Sequence, residues 1–139
     1  MAPMDFRDKD IRRKTLGRKG EDIACDLLSG MGFEILERNW RSSHKEIDII
    51  CRDGADLRFV EVKSRQEPVE GEPWEAVTQA KQRRIAGAAK AYLRSAGLKE
   101  SGFHPEECHF DIVTIVWNES GDRCSKEFIP DAYILIYAS

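Results

Sequence analysis

Residues 45–65, KEIDIICRDGADLRFVEVKSR, decide how the chain folds. Two apolar runs flank the tetrapeptide Asp53-Gly54-Ala55-Asp56. A glycine at the first central position suits the two-residue type II′ turn of a β-hairpin. With Gly54 and Ala55 at the tip, Arg52 faces Leu57, Ile50 faces Phe59, Asp48 faces Glu61 and Glu46 faces Lys63. Side chains alternate along a strand, so Glu46, Asp48, Glu61 and Lys63 share one face with Ile50 and Phe59. Ile47, Ile49, Cys51, Val60 and Val62 fall on the other, which is a core-forming surface. Directly opposed side chains have Cβ atoms about 4.5–5.5 Å apart, where like charges destabilise the pair. Asp48 against Glu61 is such a conflict, and a divalent cation resolves it. Carboxylate ligands of this kind suit Mg²⁺ or Mn²⁺. The competing reading is a Glu46–Lys63 ion pair on a wet sheet face, with Asp48 and Glu61 solvated beside it.

Working outward, FEILERNW (33–40) alternates as a third strand, and the short loops predict an antiparallel meander. Upstream, residues 17–31 place Ile23, Ala24, Leu27, Leu28 and Met31 on one helical stripe. Downstream, after a Pro- and Gly-containing acidic loop, a long helix is predicted from Trp74 to Ala96, with Val77, Ala80, Ile85, Ala88, Ala89 and Tyr92 inward. CHFDIVTIVWN (108–118) is a strongly apolar strand, KEFIP (126–130) hairpins onto it across ESGD, and AYILIYAS (132–139) reads as a strand or a packed tail. The 74–96 helix is a crossover long enough to make strands 57–65 and 108–118 parallel neighbours. The expected fold class is α/β: a central mixed sheet flanked by helices.

A chain of 139 residues with 41% hydrophobic and 34% charged residues reads as one globular domain, 1–139, with a flexible basic segment at 1–15. No apolar run approaches the ~20 residues of a membrane span, and MAPMDFRDKDIRRK lacks the apolar core of a secretory signal. The four cysteines are widely spaced with no CxxC, so free thiols in a reducing cytoplasm are expected. Net charge is −3, yet basic residues segregate. Residues 7–20 hold seven basic and two acidic side chains, and 79–94 hold five basic and none acidic. Arg18, Lys19, Lys81, Arg83 and Arg84 therefore read as phosphate contacts or as ordinary solvated helix faces. His44, His104 and His109 show no ligand spacing and read as surface or loop residues. Trp40 and Trp74 read as core packing or as platforms for an unpaired base. Asp111 reads as structural.

Two acids and a lysine around a cation describe phosphodiester hydrolysis. The cation offsets developing charge and activates water, while the lysine orients that water and stabilises the oxyanion. The blocks GRKGEDIACDLL, GFEILERNWR, KEIDIICRDG, LRFVEVKSR, AKQRRI and HFDIVTI, spanning roughly 16–117, together resemble the YraN-like family of predicted bacterial endonucleases. That family is similar to archaeal Holliday-junction resolvases. The resemblance implies a restriction-endonuclease-like fold with a PD-(D/E)xK-type site. It makes Asp48, Glu61, Lys63 and Glu46 catalytic, assigns Asp48, Glu61, Val62 and Glu21 to the metal, and adds Arg65 to the nucleic-acid-binding residues. Lys45 stands where the family usually has glycine. The implied activity is Mg²⁺- or Mn²⁺-dependent cleavage of DNA, branched or structured DNA included. Resolving a two-fold junction calls for two active sites and hence a homodimer. The alternative is a catalytically silent nuclease-fold module that binds nucleic acid or a partner protein, or an interaction domain alone.

Overall fold

The computed structural model describes residues 6–133, with side chains from Arg18 onward. Helix α1 spans Phe6–Gly30 and is followed by strands β1 (Glu34–Ser42), β2 (Lys45–Asp53) and β3 (Asp56–Gln66). Helices α2 (Gln79–Leu93) and α3 (Ala96–Ser101) then lead to β4 (Cys108–Trp117) and β5 (Cys124–Ile129). The strands form one sheet in the order β1-β2-β3-β4-β5. Every neighbouring pair is antiparallel except β3 and β4, which run parallel from Leu57↔Cys108 to Gln66↔Trp117. This is the expected α/β meander plus crossover, and it is consistent with the restriction-endonuclease-like fold. No described helix is long and apolar enough to cross a membrane.

The hairpin turn has the expected chemistry. Asp53 pairs with Asp56, and Gly54 takes φ +60° while Ala55 does not share the positive φ, as type II′ requires. Arg52↔Leu57 and Ile50↔Phe59 follow in the expected register.

The sheet is covered on both faces. On one, Ala24 and Leu28 of α1 pack against Ile49, Cys51, Val60, Val113 and Ile115. On the other, Ala88, Ala89 and Tyr92 of α2 pack against Ile47, Ile50, Leu57 and Phe59. Burial at ~25 cal/mol per Å² of apolar surface is what holds both helices to the sheet.

Five expectations need correction. Ile47 lies on the α2 face rather than with Ile49 and Cys51. Trp40, paired with Ile47, lies on the same α2 side, and Asn39 just before it takes φ +50°. Met31 is exposed just beyond the helix end. Helix α1 begins at Phe6, so residues 6–15 of the segment expected to be flexible are helical. The long helix is three pieces. A 3-10 turn at Pro73–Ala76 ends before Thr78, whose side chain accepts from the Lys81 N–H as the cap of α2, and Ser95 caps α3 in the same way. Ala80, expected inward, consequently sits exposed in the first turn of α2. Of the closing segment, 134–139 lie outside the described residues, and Ala132 and Tyr133 pack against Val77, Ile85 and Ile112.

Candidate metal centre

The site forms where β2 and β3 part. Their ladder runs from Asp53↔Asp56 only to Ile49↔Val60. Asp48 and Glu61, and Glu46 and Lys63, are therefore not ladder partners as expected. Beyond Val60 the β3 backbone needs another acceptor, because a buried N–H without one is costly. Asp48 supplies it: the Val62 N–H donates to Asp48 Oδ2 at 2.8 Å. The side chain thus replaces a missing strand bond and is held across the gap, facing Glu61.

Around this gap Glu46, Asp48, Glu61, Lys81, Arg84, His44 and Ile85 line a cavity of about 350 Å³. Glu61 is 9% exposed, and its Oε1 meets Lys81 Nζ at 2.5 Å. Burial first and the Glu61 charge second push the Asp48 carboxyl up to about 7, with Glu21 adding to the shift and the Val62 N–H opposing it. A partly buried and a buried acid sharing a site disfavour double ionisation. The conflict expected from the hairpin is present, although the geometry that produces it is a split rather than a ladder.

Glu21 on α1 reaches the same region: its Oε2 accepts from Asn39 Nδ2 at 3.2 Å, and Asp48 feels its charge. Glu46 is exposed and pairs loosely with Arg41 Nη2 at 3.7 Å instead of with Lys63. Lys63 follows Glu61 on the same face of β3, beside Thr114 of β4, and does not line the cavity. Val62 turns its side chain to the α1 core. Arg18 and Lys19 are exposed on α1, and Arg83 and Arg84 are exposed on α2. Arg65 is committed elsewhere, donating from Nη1 to the carbonyls of Gly71 (3.0 Å) and Glu70 (3.4 Å) to hold the following loop.

Several neighbours escaped the sequence reading. His44 lines the cavity, although its spacing carried no signal. Lys45 crosses α2 at Gly87, where a Cβ would fall 2.5 Å from its Nζ, so a larger residue there would push the lysine side chain aside. Trp40 is core, edge-on to Tyr92 at 5.2 Å, and Trp74 is 48% exposed. Asp111 is structural as expected: fully buried, it accepts from Arg58 Nη1 and from the Asp131 N–H. His109 is not a loop residue but part of β4, bridging Asp56 (3.0 Å) and Asp131 (2.7 Å). With Glu107 and Asp56 it forms a group of metal-capable side chains whose ligand atoms lie within 4.8 Å of one another, away from the split. All four cysteines are free.

By donor chemistry the split suits a hard divalent ion, although among the described residues no three of its side chains bring ligand atoms as close together as Asp56, Glu107 and His109 do. Asp48 and Glu61 offer carboxylate oxygens, the Glu21 charge is felt at Asp48, and the Lys81 ammonium sits on Glu61.

The electrostatics give a prediction for the metal-free protein. An acid held above its ordinary range binds its proton more tightly when folded, so its contribution to stability is full below about pH 4 and lost as pH rises through about 7. At ~1.4 kcal/mol per pKa unit, the loss is on the order of a few kcal/mol. In EDTA, the melting temperature of wild type relative to Asp48→Asn should fall between pH 4 and 7. Because the titration of His109 is common to both proteins, parallel curves would show that Asp48 is not strained.

The profile of "Uncharacterised protein family UPF0102" matches residues 20–115. The chain is 47% identical over 100 residues to a UPF0102 protein of Chlorobium chlorochromatii, covering 72% of this chain and 73% of the relative. It is 39% identical over 123 residues to one of Dictyoglomus turgidum, covering 88% and 100%. It is 43% identical over 124 residues to one of Geotalea daltonii, covering 89% and 93%. The chain therefore belongs to the UPF0102 family, the YraN-like group that its sequence blocks resemble.

Proposed function

We propose that this protein is a cytoplasmic, metal-dependent endonuclease that hydrolyses phosphodiester bonds in DNA, with branched or structured DNA as the favoured substrate. One observation carries the reading: Asp48 and Glu61 converge across the split between β2 and β3, and Lys63 follows Glu61 on the same strand face. Asp48, Glu61 and Glu21, with the Val62 carbonyl between the motif residues, would hold Mg²⁺ or Mn²⁺. When bound, the ion supplies charge neutralisation at the phosphoryl group and lowers the pKa of water. Lys63 orients the attacking water and donates to the oxyanion. Glu46 stands at the cavity rim to take up a proton. Arg84, with Arg18, Lys19 and Arg83 on the two helices, contacts backbone phosphates. A homodimer would present the two sites that a two-fold junction needs.

Lys63→Met separates binding from chemistry. The variant should keep the Mn²⁺-dependent thermal shift of wild type and lose about 10²-fold or more of the cleavage rate, the typical scale for one oxyanion donor. The assay is a panel of branched, nicked, single-stranded and duplex DNA with Mg²⁺ or Mn²⁺. Undiminished cleavage by Lys63→Met would remove the lysine from the mechanism.

A second reading is favoured by the placement of Lys63 outside the cavity lining. A nuclease-fold module that binds nucleic acid, or a partner protein, without cutting has no need of a lysine at the metal. It predicts salt-dependent DNA binding with no cleavage anywhere in the panel.

A further inference from the structure

Lys81 occupies the third residue of α2, after the cap Thr78. That is an unfavourable place for a cation, since the positive end of the helix dipole lies there, and the first turn carries no acidic residue to offset it. What compensates is Glu61 on β3, whose Oε1 the ammonium meets at 2.5 Å, with the lysine side chain 36% exposed and the glutamate 11%. The amine therefore sits on the oxygen that the metal reading needs.

We propose that Lys81 is a tethered stand-in cation that holds Glu61 until a divalent ion displaces it, and that the freed ammonium then serves as a phosphate contact at the cavity rim beside Arg84. The proposal rests on the metal-site reading above and deepens it. Charge decides the exchange. Two carboxylates and one ammonium leave the cluster short of neutrality, and a divalent ion completes it. An ammonium kept at contact with the same carboxylate would then face a dication at close range, a repulsion that grows in a low-dielectric cleft. Lysine is suited to leaving, because its charge is compact and its four-carbon stem is flexible. Arg84, one turn along α2, lines the same cavity without touching Glu61 among the described contacts. Its released neighbour would double the positive charge at the rim only when metal is present. Metal loading and polyanion binding would thus favour one another, and such coupling is reciprocal.

The test uses the full chain and Mn²⁺ alone as the probe. Amine acylation by an N-hydroxysuccinimide ester, read by peptide mass spectrometry, should find Lys81 protected in EDTA and several-fold more reactive in Mn²⁺, with Lys90 on the same helix unchanged. Calorimetry should show Lys81→Met binding Mn²⁺ at least about ten-fold more tightly than wild type, within the ordinary range of site coupling. Arg84→Met removes an equal charge from the same cavity without unblocking Glu61, and should gain less. If wild type binds Mn²⁺ while Lys81 reactivity does not change, or if the two variants gain equally, the exchange is refuted and the metal site stands. If calorimetry detects no Mn²⁺ binding to any of the three proteins, the metal-site reading itself fails and the exchange with it.

Discussion

Asp48→Asn is expected to lower metal-dependent DNA cleavage by about 10³-fold or more while leaving the protein folded. The size follows from the chemistry: charge stabilisation by a bound cation contributes several kcal/mol to the transition state, and each 1.36 kcal/mol is about ten-fold in rate. The fold should persist because an asparagine carbonyl can still accept from the Val62 N–H, the bond that closes the gap between β2 and β3. The substitution also removes the like-charge strain against Glu61, so the metal-free variant should be as stable as wild type or more so at neutral pH. Single-turnover cleavage of a four-way junction, alongside a circular-dichroism melt, checks both halves. Retention of cleavage within ten-fold of wild type would take Asp48 out of the site.

The largest effect on stability should come from Asp111→Ala. Asp111 is fully buried, its carboxylate accepts from Arg58 Nη1 at 3.0 and 3.2 Å, and its Oδ1 also accepts from the Asp131 N–H. Arg58 in turn reaches Asp53 and lies over the Phe33 and Phe128 rings. Removing the carboxylate strands a largely buried guanidinium and an N–H, at about 3–5 kcal/mol, or roughly 10–20 °C in melting temperature for a domain of this size. Burial holds the Asp111 carboxyl above its ordinary range despite the guanidinium and the N–H, so the pair does not fully repay its desolvation. A double variant, Arg58→Met with Asp111→Leu, should accordingly recover a large part of the loss. A drop below 1 kcal/mol for Asp111→Ala, measured by urea unfolding, would contradict this.

How much of this was legible in the sequence depends on the range of the interaction. Gly54-Ala55 determines a turn type, the turn determines a register, and the register places Ile50 against Phe59 as observed. The apolar core of β4 and its parallel pairing with β3 follow from composition and from the length of the crossover. The split was not legible. The neighbouring strand β1 likewise carries a left-handed Asn39 and an irregularity between Ile35 and Glu37, neither of which its residue types signal. Strict alternation was right for Ile49 and wrong for Ile47. The breaks around α2 depend on Thr78 and Ser95 acting as caps, which period alone overrides when the apolar stripe continues past them. The site divides in the same way. Asp48, Glu61 and Lys63 announce themselves by charge on an apolar hairpin, whereas the Lys81 contact with Glu61 and the Lys45 crossing at Gly87 are made by side chains meeting between a helix and a strand.

The central claim is that Asp48 and Glu61 form a divalent-cation site. Its most direct test is the melting temperature of the wild-type protein at pH 7.5 in EDTA and in a series of Mn²⁺ concentrations. A ligand that binds only the folded state stabilises it by RT ln(1 + [L]/Kd), about 2.7 kcal/mol at a hundred-fold excess over Kd. The account predicts a rise of several degrees that grows with the logarithm of Mn²⁺ and is absent in Asp48→Asn. A melting temperature that does not respond to Mn²⁺, or a full response in Asp48→Asn, would contradict it.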